Sequence, residues 1–239
     1  MSLHDGLLLL GGVVALYLYD SALLLYHNEI VLIGAGGSYR VSAGSGLELG
    51  GRHVLLPSPW LPHQPLFRLS WPQQGVYAHE PQSMRNRRVR IGLTAVAPWV
   101  LVLLILFGAG LPCVLFVSGR LDVLLAWITL VYAVIVLALL QVYRHRKALN
   151  LSGRAVAAIA LDALLCAPFA LNIVRKIGLR QKLDVDLRTV AKSLPAPALA
   201  ELTVILRQRI HTSLGFVEPG DAATHTLTAY LAAFEELHR

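Results

Sequence analysis

The chain has 239 residues, 56% of them hydrophobic and only 15% charged, with a mean hydropathy of +0.60 and a formal net charge of +7. That balance places it in the membrane class. Its cations gather at the ends of apolar runs, which argues against a nucleic-acid partner. The two cysteines, Cys113 and Cys166, lie inside apolar runs, which excludes a disulfide framework and thiolate zinc spacing.

Residues 6–26 form the first apolar run, interrupted by Asp20. The start Met1-Ser2-Leu3-His4-Asp5 has no Lys or Arg and no small-residue cleavage motif follows, so residues 1–28 are expected to be a retained transmembrane helix. Tyr17, Asp20, Ser21, Leu24 and His27 fall on one helical face. A carboxylate within a span has to face protein or water. Asp20 is therefore either a site group or a packing hydrogen bond to another span.

Residues 29–90 are too long for a bare connector. Runs at 29–33, 38–42, 47–49, 53–56 and 66–70 are strand-like and separated by glycine-rich breaks, which predicts a small antiparallel sheet. Pro57, Pro59, Pro62 and Pro65 impose an extended passage, and Trp60, Phe67 and Trp71 are expected to pack beneath it or enter the headgroup layer. The run Ile30 to Gly37 has the look of a dinucleotide turn, yet no helical period follows the glycines, so a hairpin turn is expected and no cofactor. His53, His63 and His79 lack ligand spacing, and no metal is expected. Residues 73–82 read as a linker.

Residues 91–117 and 123–143 are apolar, free of charge and long enough to cross about 30 Å of hydrocarbon. A tight turn joins them. Arg85, Arg87, Arg88 and Arg90 precede this transmembrane hairpin, assigned to residues 91–147, and Arg144, Arg146 and Lys147 follow it. Both clusters fall on one side, which the positive-inside bias makes the cytoplasm. The expected topology has the N-terminus outside and residues 29–90 inside, in a bacterial inner membrane. Pro112 should kink or end the regular helix, and the small residues 108–110 allow close approach of a neighbour.

Residues 148–182 hold a fourth apolar segment containing Asp162, Cys166, Pro168 and Asn172 and ending in Arg175-Lys176. A full span would carry Arg175, Lys176, Arg180 and Lys182 outside, against the charge bias. A re-entrant or interfacial helix broken near Pro168 is favoured, with a fourth span as the alternative. Asp162, Asn172, Arg175 and Lys176, together with Asp20, are the candidate residues for holding a lipid phosphate or polar substrate. The competing assignment pairs Asp162 with Arg154 or Arg175 and leaves Asn172 to cap the broken backbone. No nucleophile–base or paired-carboxylate spacing accompanies them.

The tail, residues 183–239, carries three amphipathic stripes: 183–194, 199–210 and 227–237. A core of that size is marginal alone, so the tail should dock on the loop module, the membrane or a partner chain.

The fold class expected is an α-helical integral membrane protein with three transmembrane helices, one partial segment, a β-rich cytoplasmic insert and a helical tail. Two functions fit: an inner-membrane accessory, assembly or interaction subunit, or a membrane enzyme or lipid-binding protein using acids at the cytoplasmic interface. A small transporter subunit fits less well, since only Asp20 and Asp162 could line a path. The expected partners are anionic lipid headgroups and a protein chain, whether a different one or a second copy.

Overall fold

The computed structural model describes residues 3–35, 38–71, 83–181, 187–192, 194–215 and 220–238. Expectations about the linker, His79, Gly36-Gly37, Lys182, the start of the first tail stripe and residues 216–219 lie outside them. The chain divides into two compact units.

The first unit comprises Met1–Ala22, Leu56–Pro65 and Met84–Arg180. Three of its helices are long and apolar enough to cross a membrane: α1 (Leu3–Ser21), the helix Ile91–Ser118, and α3 (Leu121–Arg144). The middle one starts as α2 (Ser83–Ile105) and loosens into π-helical turns at Leu106–Gly110 and Cys113–Ser118. Pro112 sits between those turns, where it withdraws a backbone donor. Trp127 of α3 donates its indole N–H to the Leu106 carbonyl at 3.1 Å, and its ring meets Phe107 edge-on at 5.5 Å. A carbonyl within the helix irregularity is thereby bonded by a neighbour rather than left open. The turn ends at Gly119, which takes a φ of 61°.

α1 stops at Ser21, short of the residue-26 limit expected from apolarity. The Ser21 hydroxyl bonds back to the Tyr17 carbonyl at 2.8 Å, and the leucines that follow enter a strand. A short apolar run is compatible with either state, and cross-strand pairing decides it here.

The fourth segment is broken, as the proline placement implied. α4 (Gly153–Leu165) is capped by Ser152, whose hydroxyl accepts from the Ala155 N–H. Cys166 is extended, Ala167–Asn172 form a 3-10 turn with Pro168 near its start, and α5 (Ile173–Leu179) follows. Thirteen residues of α4 rise only about 20 Å, less than the hydrocarbon thickness. The 3-10 turn packs on α1, α3 and α4, and Tyr132 of α3 donates to the Leu164 carbonyl.

The second unit comprises Leu23–Leu55, Leu66–Ser83 and Gln181–Arg239. It contains two three-stranded antiparallel sheets rather than the single one expected. One has the order β3 (Ser38–Ser42), β2 (Glu29–Ala35), β6 (Leu66–Ser70), with Ile33 opposite both Arg40 and Leu66. The other has the order β1 (Leu23–Leu25), β5 (Arg52–Leu55), β4 (Glu48–Leu49). Gly50 and Gly51 both take positive φ in its two-residue hairpin loop, a conformation glycine adopts without strain. Ile30, Leu32, Leu66, Phe67 and Trp71 are fully or almost fully buried.

The tail forms α6 (Leu187–Ala191), α7 (Ala196–Leu214) and α8 (Ala222–His238). Pro195 immediately precedes α7, where a missing N–H costs nothing. Leu202, Leu206 and Ile210 of α7 and Leu227, Tyr230 and Phe234 of α8 are buried, so the stripes read from the sequence are the faces that pack. α7 also rests on β3, which places the tail on the loop module, one of the three docking sites foreseen.

Candidate functional site

All five residues singled out in the sequence converge within the first unit. α1 presents Asp20 and Ser21 at its C-terminal end, the 3-10 turn presents Asn172, and α5 presents Arg175 and Lys176. α4 supplies Asp162 from a neighbouring face. The Lys176 ammonium lies 2.9 Å from Asp20 Oδ1 and 3.3 Å from Asp162 Oδ2. Asn172 Nδ2 donates to Asp20 Oδ2 at 2.9 Å and to Ser21 Oγ at 3.0 Å. The guanidinium of Arg175 donates to Ser21 Oγ at 3.3 Å, to Asn172 Oδ1 at 3.1 Å and to the Ser58 carbonyl at 2.6 Å. Tyr17 donates to the neighbouring Pro59 carbonyl at 2.6 Å.

The helix break makes this convergence possible. The turn before α5 brings Asn172 and Arg175 to bear on the same serine, with Lys176 beside them on the adjacent aspartate. Ser21 sits at the centre: its hydroxyl donates to Tyr17 O and accepts from Asn172 and Arg175. Asn172 makes no side-chain cap on α5, and Asp162 pairs with Lys176 rather than with Arg154 or Arg175. The pairings expected from the sequence are thus replaced by others: Lys176 for Asp162, and Asp20 with Ser21 for Asn172.

Burial grades the network. Arg175 is only 3% exposed and Asn172 1%, whereas the Asp162 side chain is 48% exposed at the rim. The four charges, Asp20 and Asp162 against Arg175 and Lys176, sum to zero. Arg175 Nε and His63 Nδ1 are buried without a hydrogen-bond partner. Burial, reinforced by the nearby Arg175 charge, lowers the pKa of His63 below the ordinary imidazole value. Both carboxylates are held by one ammonium. Among the described residues no group of three metal-ligating side chains comes together.

Sequence reasoning missed the carbonyls of Ser58 and Pro59, which belong to the proline-rich passage. A backbone acceptor has no signature in the side-chain pattern. It also missed Arg209 in the second unit. This arginine of α7 is 5% exposed and donates to the carbonyls of Glu29 at 2.7 Å, His27 at 3.5 Å and Ala43. Beside it, His53 Nε2 and His27 Nδ1 lie 3.2 Å apart with their rings stacked, and His53 Nδ1 lies 3.5 Å from Glu48. Burial first, and the Arg209 charge second, lower the pKa of His53.

No family model matches this chain, and comparison with curated proteins and with solved structures gives no match either.

Proposed function

We propose that the chain is an integral inner-membrane protein of the accessory or assembly type, which anchors a cytoplasmic interaction module to the bilayer. In this reading α1 runs outside to inside. The hairpin starts and ends in the cytoplasm, and the segment after it stays at the cytoplasmic interface. The second unit, with its β-sheets and helical tail, is the part that meets a partner chain or a second copy. Three helices of spanning length and the arginines on both outer flanks of the hairpin support the topology.

The observation that carries the functional reading is that the polar cluster bonds mostly to itself. Lys176 bridges Asp20 and Asp162, Arg175 donates to Ser21, Asn172 and the Ser58 carbonyl while its Nε stays unpartnered, and Asn172 and Ser21 spend their hydrogen bonds among them. A site for a lipid phosphate or polar substrate needs groups aimed outward. Here the same groups tie α1, α4 and α5 together, which is the work of a scaffold.

The test is mass. The tagged full-length protein, extracted from its native membrane in mild detergent and again in native-lipid nanodiscs, should elute as a particle heavier than one 26.0 kDa chain with its amphiphile. Light scattering coupled to chromatography would give the protein mass. A lone monomer under both conditions would refute the proposal.

A further inference from the structure

One face of the β1–β5–β4 sheet is largely apolar and, among the described residues, exposed. Leu24 stands opposite Val54, and the continuing register brings Leu47 beside Val54, whose N–H donates to the Leu47 carbonyl. One step of two residues along each strand gives a second row: Tyr26, Arg52 and Leu49. These six side chains share one side of the sheet. The other side carries Leu25 and Leu55, both buried, with His53 and Glu48. On the open side Leu47 is 65% and Leu49 64% exposed, and Leu24 and Tyr26 are also exposed. Arg52 lies across the Tyr26 ring at 4.3 Å and donates to its hydroxyl at 2.7 Å.

We propose that this face lies on the headgroup layer of the cytoplasmic leaflet, with Leu24, Leu47 and Leu49 dipping toward the acyl chains and Arg52 engaging anionic headgroups. The inference rests on the membrane topology above. α1 has 19 residues, a rise of about 28 Å, so its last turn comes to the edge of the hydrocarbon. Leu24 follows Ser21 by three residues and by chain length alone cannot stray more than about 10 Å from it. The headgroup layer is about 6 Å deep on each side, so the first strand after the span begins inside or directly against it. The chemistry of the face matches that layer: aliphatic side chains, an exposed tyrosine, and an arginine packed over that tyrosine's ring. The single charge on the open side is positive, and Glu48 is turned to the other side, which suits an anionic leaflet.

Spin labels on the full-length chain in nanodiscs of mixed phosphatidylcholine and phosphatidylglycerol would test this. With Cys113→Ala and Cys166→Ala in place, Leu47→Cys, Glu48→Cys, Leu49→Cys, Asp221→Cys and Leu137→Cys would be labelled in turn. Their collision rates with oxygen and with a water-soluble nickel chelate would then be compared. The expected result alternates: membrane-like depth at 47 and 49, aqueous at 48 and 221. In phosphatidylcholine alone, 47 and 49 should shift toward water as the Arg52 attraction is lost. Aqueous values at 47 and 49 would overturn the proposal, as would labels there shielded from both reagents, the mark of a protein partner or second copy. The label at 137, within α3, separates the two levels. If it too is aqueous, the membrane topology fails; if it is deep while 47 and 49 are aqueous, only the docking fails.

Discussion

Replacing Lys176 by Met distinguishes an internal clamp from a ligand site. The ammonium sits 2.9 Å from Asp20, and the two side chains are only 17% and 13% exposed. At an effective dielectric constant of about 20 the gross attraction is about 6 kcal/mol. Desolvation of both ions offsets most of it, so the pair itself contributes little. Removing one partner is different, because Asp20 then stays as a partly buried charge with only Asn172 donating to it. The expected loss is about 3 kcal/mol, within the range for breaking a buried pair. For a chain of this size that corresponds to a fall in melting temperature of about 6 °C or more. The double variant Asp20→Asn/Lys176→Met should recover much of the loss. Thermal unfolding of the purified protein in one detergent, across the wild type, both single variants and the double, closes the cycle. If Lys176→Met leaves the melting temperature unchanged while lowering function in cells, the ammonium is held in reserve for a ligand and the clamp is wrong.

The rim and the second unit give further outcomes. Asp162→Asn should cost under about 1 kcal/mol, since that carboxylate is half exposed and the exposed half of the network is screened; a loss as large as that of Lys176→Met would contradict the burial gradient. Arg209→Met should remove about 2–4 kcal/mol by leaving two or three carbonyls without donors, read as accelerated proteolysis between α6 and α8. His53 has a folded pKa below its unfolded value of about 6.5, so the unfolded chain binds more protons. Its contribution is therefore present above about pH 6.5 and lost as pH falls toward the depressed folded value. His53→Gln should flatten that slope in proteolysis or hydrogen exchange, and a steeper slope would show the sign to be wrong. Gly92→Ala would place a methyl 2.6 Å from Leu149 Cδ2, a leucine that is itself fully buried. The variant should lower the melting temperature, and retention of the wild-type value would show that Leu149 can move aside.

The three long apolar helices were legible because length and apolarity are all that such a helix needs, and the hairpin has both. The broken fourth segment was legible for a different reason: Pro168 and the charges after it made a straight crossing costly. The runs at 29–33, 38–42 and 66–70 announced their strands through the glycine and proline breaks beside them. β1 did not, because Leu23–Leu25 continues the apolar run of α1 and its strand state depends on pairing with β5, a partner about thirty residues away. In the site, the residue types were readable and their convergence was not. Asp20 and Asn172 are separated by 152 positions, and only the turn at Cys166 aims the second at the first. Arg209 looked like one more cation on an amphipathic helix. Its burial follows from three backbone carbonyls that no side-chain pattern records.

The reach of Arg209 has a consequence for how the protein is made. The β-segments made early, at Glu29 and Ala43, are bonded to an arginine 166 to 180 positions later in the chain. At roughly 5–20 residues per second, the stretch from the last strand to that arginine takes on the order of 10–30 s to synthesise. Throughout that interval the apolar hairpin is synthesised while the early strands wait, incomplete. A nascent chain arrested before α7 should therefore expose its β-segments to chaperones and proteases, and synthesis of α7 becomes the step that first completes the second unit.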